Sequence, residues 1–200
     1  MKIIKAEPSG FGSNSYILTA DNKNAVVIDP SQTDIADVLK NNGLVCKSVL
    51  LTHGHFDHVG GCGVLFEGGA EIYCGEEEKG NIFSEEYLGI FGGVYVPHFE
   101  IFKTVRDNER LTLCGIDFRA IHTAGHTAGS MCYIASNNIF SGDTLFHCGI
   151  GRCDLPTGNM AKLLQSLKML KALEGDYNVY CGHGGDTTLE YERRFNPYLR

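Results

Sequence analysis

Four times in this 200-residue chain a short apolar, strand-like run ends and a histidine or aspartate of metal-ligand type follows. The first case is the densest. The run Lys47 to Thr52 leads straight into His53-Gly54-His55-Phe56-Asp57-His58, where four of six residues carry an imidazole or a carboxylate. Imidazoles at positions i and i+2, followed by an adjacent carboxylate and imidazole, cannot all point the same way, so such a loop can serve two metal ions. His126 in Thr123-Ala124-Gly125-His126-Thr127, Asp143 in Ser141-Gly142-Asp143-Thr144 and His183 in Gly182-His183-Gly184 each follow a predicted strand as well. Taken singly, any of these three is more often a hydrogen-bonded loop residue than a ligand. Taken together, on loops fixed by rigid elements and beside glycines that let backbone and side chain approach closely, they read as a metal site.

The rest of the chain alternates short strands with turns. Strand signals at residues 3–4, 15–19 and 25–28, with Asp21-Asn22 between the last two, predict a hairpin or meander. Ser31 with Asp34 resembles a capping box for a helix bearing Ile35, Val38 and Leu39, which Asn41-Asn42-Gly43 stops. A short helix around residues 59–66 and a strand at 71–74 follow. In the second half, strands are expected near 110–113, 116–121, 131–134 and 138–140. One helix is then expected over 159–173, with Met160, Leu163, Leu164, Leu167, Leu170 and Leu173 on one apolar stripe, Gly175 closing it, and a last strand at 177–180.

Residues 76–99 fit no single element. Phe83, Tyr87, Phe91, Tyr95 and Phe99 recur every four residues, but Gly92-Gly93 and Pro97 forbid one continuous helix. These aromatics are expected to finish the core, with a lid or dimer contact beside the metals as the alternative. Glu76, Glu77 and Glu78 read as a solvated turn. Nothing resembling a linker, repeat or low-complexity tract divides the chain, so one domain spanning residues 1–200 is expected.

Composition removes several function classes. With 43% hydrophobic and 20% charged residues the chain is a folded protein rather than a disordered one. A net charge of −7, with no Lys/Arg run longer than Arg193-Arg194, gives no basic footprint for a nucleic acid. No stretch approaches the ~18 apolar residues needed to span a bilayer, and the N-terminal apolar stretch is too short for a signal peptide. The eight cysteines contain no C-x-x-C pair and read as reduced thiols of a cytoplasmic protein, with Cys46, Cys74, Cys114 and Cys132 acting as small core hydrophobes. The expected partner is a small-molecule substrate, with no nucleic acid and no membrane. Oligomeric state stays open.

The His53-x-His55-x-Asp57-His58 cluster, with His126, Asp143 and His183 in their settings, resembles the metal motifs of the metallo-β-lactamase superfamily. The resemblance implies an α/β fold, a four-layer αββα sandwich with the metals at one edge between two sheets. It implies that His53, His55 and His126 hold a first metal, that Asp57, His58 and His183 hold a second, and that Asp143 bridges them. Two divalent ions are implied, zinc foremost, with iron or manganese also suited to these ligands.

Within the superfamily, Gly142-Asp143-Thr144-Leu145-Phe146, Gly149-Ile150-Gly151-Arg152 and the closing Asn196-Pro197-Tyr198-Leu199 are similar to glyoxalase II. Glyoxalase II continues into a helical glutathione-binding domain where this chain stops, so short glyoxalase II-like hydrolases are the closer likeness. The implied activity is hydrolysis of a thioester or small ester by a hydroxide shared between two metals. Asp57 would orient that hydroxide as the catalytic carboxylate, and Arg152 would contact the substrate. The competing role for Arg152 is a structural pair with Asp154.

Two other readings stay in play: a persulfide dioxygenase-like oxygenase with one ferrous iron on His53, His126 and Asp143, and a non-catalytic metal scaffold. Ser141 is expected to be a plain turn residue rather than a nucleophile. His98, His122 and His147 are left without a role, His147 being the one whose sequence position best suits facing the site.

Overall fold

The structure, a computed structural model, describes residues 1–8, 12–89 and 95–200. Its first half forms a six-stranded sheet from β1 (Lys2–Ala6), β2 (Ser15–Thr19), β3 (Asn24–Ile28), β4 (Val45–Leu50), β5 (Glu71–Gly75) and β6 (Ile101–Val105), in that spatial order. The first three strands run antiparallel and the last four parallel. Helix α1 (Ile35–Asn41) connects β3 to β4, and α2 (Phe56–Val59) and α3 (Cys62–Glu67) connect β4 to β5. Helix α4 (Glu85–Leu88) precedes β6.

The second sheet comprises β7 (Arg110–Leu113), β8 (Ile116–His122), β9 (Met131–Ala135) and β10 (Asn138–Gly142), then β13 (Asn178–Cys181) and β14 (Thr187–Thr188). Their spatial order is β14-β13-β10-β9-β8-β7. A small hairpin of β11 (Leu145–Phe146) and β12 (Gly149–Ile150) stands apart. Helices α5 (Met160–Lys171) and α6 (Leu189–Phe195) complete the chain.

Side-chain alternation explains the layering. In β2 and β3, Tyr16, Leu18, Val26 and Ile28 face the second sheet and meet Phe118, Tyr133 and Phe140 in the inter-sheet core. Their neighbours Ile17, Ala25 and Val27 face the opposite way, onto Ile35 and Leu39 of α1 and Cys62 and Leu65 of α3. On the far side, Ile121, Cys132, Ile139 and Val179 take Leu163, Leu167 and Leu170 of α5 and Leu189 of α6. Each central strand thus buries both faces, which is why β2, β3, β9 and β10 read as continuous apolar runs. The result is the four-layer αββα sandwich that the resemblance implied. Phe140 is wholly buried between the sheets, and its truncation to Ala is expected to cost ~3–5 kcal/mol.

Several local expectations differ in detail. Ser31 does not cap α1: its Oγ accepts a hydrogen bond from the Ser13 amide, and Asp34 stands at the N-cap without a side-chain bond. The helix expected at 59–66 is split into α2 and α3. In α5 the Asn159 side chain accepts from the Lys162 amide as a true cap, while Met160 and Leu164 lie exposed at the edge of the stripe and only Leu163, Leu167 and Leu170 reach the core. Strand β6 and helix α6 carried no clear signal in the sequence.

Segment 76–99 divides rather than acting as one piece. Tyr87 and Phe99 are buried, Phe83 and Tyr95 are exposed, and Phe91 lies outside the described residues. Glu78 is fully buried, so the solvated turn expected there is wrong for this residue. Cys46, Cys74 and Cys132 are core residues as expected, whereas Cys114 sits half-buried in the β7–β8 turn; all eight thiols are unpaired. Among the described residues, no helix is long and apolar enough to cross a membrane.

Candidate metal centre

Strands β4, β8, β10 and β13 end at the same edge of the sandwich, and the residues after them meet there. The two sheets are tied at this edge by the Met131 amide donating to the Thr52 carbonyl (2.7 Å) and the Tyr133 hydroxyl donating to the Leu51 carbonyl (2.9 Å). All seven residues singled out in the sequence converge here, six of them in two trios and Asp143 between the two.

In the first trio, His126 Nε2 lies 3.2 Å from His53 Nε2 and 3.0 Å from His55 Nδ1. Three ligand atoms about an ion at 2.0–2.1 Å in tetrahedral array stand about 3.3 Å apart, so this spacing matches a coordination face. The backing of two of the rings, His126 and His53, points the same way. His126 Nδ1 donates to the Arg152 carbonyl (2.8 Å), which leaves Nε2 with its lone pair directed inward. Thr52 Oγ1 donates to Asp29 Oδ2 (2.6 Å), so it accepts at 3.1 Å from His53 Nδ1. Burial holds the His53 imidazole well below its ordinary pKa and takes His55 down to about 3, which keeps both rings neutral and able to bind a cation.

The second trio carries the carboxylates. His183 Nε2 is 3.1 Å from Asp57 Oδ2, and His58 Nε2 is 3.9 Å from the same oxygen. His58 is fixed from behind, its Nδ1 donating to Asp29 Oδ2 (2.8 Å). Burial opposes a charge on His58, but Asp143, Asp29 and Asp57 outweigh it and raise its pKa. At His183 too, burial is outweighed, here by the Asp57 hydrogen bond and Asp143.

Asp143 stands between the trios. Its Oδ2 is 3.5 Å from His126 Nε2 and 3.6 Å from His183 Nε2, and its Oδ1 is 3.3 Å from His58 Nε2. His58 Nε2 and Asp143 Oδ1 are both buried with no hydrogen-bond partner, which suits atoms that share a cation. Gly182 is required by this approach: a Cβ there would come within 2.2 Å of Asp143 Oδ1. His53/His55/His126, His53/His58/Asp143 and Asp57/His58/His183 each bring their ligand atoms close enough to hold an ion.

Above the trios lies a cavity of about 380 Å³. His55, Asp57, His126, Asp143 and His183 form its floor, and Phe56, Phe146, Ile150, Leu155 and Arg152 form its walls. The Arg152 guanidinium makes two 2.7 Å hydrogen bonds to Asp154, the structural pairing weighed in the sequence, while its backbone orients His126. Ser141 is a buried strand residue whose hydroxyl donates to the Leu145 carbonyl. His147 packs on Tyr191, apart from the seven, and groups instead with Cys148 and Glu192.

Two residues that sequence reasoning missed support the site. Asp29 takes the Thr52 amide and hydroxyl and the His58 ring on one carboxylate, from a left-handed backbone (φ +50°). It follows the apolar run of β3 directly, so the rule that found the ligands would also have found it. Glu78 accepts from the Gly54 amide, the Thr127 hydroxyl and the Gly129 amide, and burial pushes its carboxyl up.

The family model of the metallo-β-lactamase superfamily matches residues 8–183. This chain belongs to that superfamily, whose members are mostly metal-dependent hydrolases. It is 35% identical over 203 residues to the hydroxyacylglutathione hydrolase GloC of Haemophilus influenzae, covering 96% of this chain and 94% of that one. Among solved structures it is similar to the B3 metallo-β-lactamase BLEG-1 (31% identity, TM-score 0.89, 99% of both chains). It is also similar to TTHA1623 in a di-iron-bound form (30% identity, TM-score 0.83, 100% of both chains).

Proposed function

We propose that this protein hydrolyses thioesters or small esters with the help of two divalent metal ions. His53, His55 and His126 would hold one, Asp57, His58 and His183 the other, and Asp143 both. The observation that carries the reading is the single Asp143 oxygen standing 3.5 and 3.6 Å from a histidine of each trio. Bound there, a metal pair supplies Lewis acidity toward a carbonyl and a water acidic enough to attack near neutral pH.

The chain's own groups do the rest. In the buried first trio His53 and His55 are kept neutral by burial, and the trio would shield one side of the carbonyl from water. Asp57, with burial raising its pKa but His58 and His183 outweighing burial and holding it low, stays ionised and accepts a hydrogen bond that aims the attacking water. Phe146, Ile150 and Leu155 give the acyl group or its leaving group an apolar seat. Arg152, at the rim, would meet a substrate carboxylate by exchanging it for Asp154.

Thioesters are preferred over lactams as substrate because the Haemophilus relative is named for that chemistry, and the acidic chain disfavours polyanions such as phosphodiesters. Zinc is the proposed metal, and the unpaired thiols fit a cytoplasmic setting. The test is a panel of lactoyl thioesters, simple esters, a β-lactam and a phosphodiester, run with metal analysis. Highest kcat/KM on a thioester with two ions per chain is the expected result. A lactam or phosphodiester at the top, or one iron per chain with oxygen consumption, overturns it.

A further inference from the structure

Glu78 is a fully buried carboxyl outside both trios that no step above uses, and it bonds the ligand loops of both sheets. Its Oε1 accepts from the amide of Gly54 (2.8 Å), the residue between His53 and His55. Its Oε2 accepts from the hydroxyl of Thr127 (2.9 Å), the residue after His126, and from the amide of Gly129 (3.0 Å). One side chain from the turn after β5 therefore holds both loops that supply the first trio.

The approach is built for. A Cβ on Gly129 would fall 2.3 Å from the Glu78 amide nitrogen and 2.6 Å from its Oε2. A Cβ on Gly54 would fall 3.1 Å from Oε1 and 2.6 Å from Ile82 Cγ1, in the same turn. Glycine at both contact points is what lets the carboxyl reach them. Tyr87, from the same segment, lies 5.0 Å from the His55 ring and hydrogen-bonds Thr157, whose hydroxyl takes the Ala128 amide.

The trio itself supplies a reason for such a clasp. His53 and His55 are more than 70 residues from His126, on a different sheet. His126 Nε2 stands 3.2 Å from His53 Nε2 and 3.0 Å from His55 Nδ1, and imidazole nitrogens this close repel one another wherever both present lone pairs. Burying a carboxyl costs free energy that an apolar side chain would not, and the three hydrogen bonds Glu78 accepts from the two loops are what offset that cost.

We infer that Glu78 is the positioning residue of the first trio, fixing the distance between the His53–His55 loop and the His126 loop so that their three nitrogens form one coordination face. This rests on reading those histidines as a metal site.

The test uses the full chain with zinc(II) and cobalt(II), measuring stoichiometry and affinity by chelator competition and following the visible spectrum of the cobalt form. Glu78→Gln keeps the volume but turns an NH2 toward the Gly129 amide or the Gly54 amide. One of the two equivalents is expected to bind ~10- to 100-fold more weakly, with an altered cobalt spectrum, while the other keeps its affinity. Thr127→Val removes one donor at constant shape and should weaken the same equivalent severalfold.

Wild-type affinity and spectrum in Glu78→Gln overturn the inference, even where the melting temperature of the metal-free protein falls, since that is the mark of a merely structural acid. Should Glu78→Gln not fold, Thr127→Val decides: unchanged metal binding there overturns it. Wild-type protein that binds neither metal overturns the metal reading itself.

Discussion

The two trios are built from the same kinds of side chain but live in different electrostatic surroundings. The first is three imidazoles, all buried, backed by a backbone carbonyl and a threonine hydroxyl, with burial pressing His53 and His55 toward the neutral form. The second mixes imidazole with carboxylate and opens to the cavity, the His183 side chain being 38% exposed. Carboxylates there override burial and favour protonated His58 and His183. A dry neutral face suits tight, pH-tolerant retention of a cation. A charged, half-open face suits exchange and contact with substrate.

The largest effect expected is from Asp143→Ala, which removes the one group shared by both trios. Activity should fall by about 10³-fold or more in kcat/KM, ~4 kcal/mol, with metal content below two per chain. Full metal loading with near-wild-type turnover would break the comparison at its root.

A pair of variants sharpens the contrast next. His55→Ala should empty the first trio, and His183→Ala should weaken only the second, leaving one ion tightly bound. Each should exceed the ~10- to 100-fold loss that a missing supporting hydrogen bond causes. Equal residual stoichiometry in the two variants, read by elemental analysis after dialysis, would show the trios to be equivalent.

Acid should separate them as well. A raised pKa means that protons compete for His58 and His183 already above the ordinary value of 6.5, whereas His53 stays unprotonated well below it and His55 until about 3. On lowering the pH, one equivalent should therefore leave first, and activity should fall with it. Both ions leaving in one step on an equilibrium dialysis series would contradict this order.

The smallest effect is at the rim. Because the Arg152 guanidinium already has Asp154 for a partner in open solvent, Arg152→Ala should raise KM for carboxylate-bearing thioesters only severalfold, with kcat and metal content unchanged. A fall in kcat with unchanged KM would place Arg152 in the chemistry instead.

The four-layer class and the division of the ligands between two ions came from the resemblance to the metallo-β-lactamase superfamily. Strand-end placement and neighbouring glycines, by contrast, were enough to single out His53, His55, Asp57, His58, His126, Asp143 and His183 as candidate ligands. The reason is local: a ligand loop must follow a rigid strand, and an apolar strand followed by imidazole leaves a plain signature in one stretch of chain. Asp29, directly after the apolar run of β3, obeys the same signature. Tertiary structure alone decided that Glu78, third in a run of acids, turns inward while Glu76 pairs with Arg106 in solvent. Only it decided that Arg152 bonds Asp154, and that Met160 and Leu164 miss the core. Which side of a short segment faces inward depends on what another sheet, scores of residues away, places against it, and no local pattern encodes that partner.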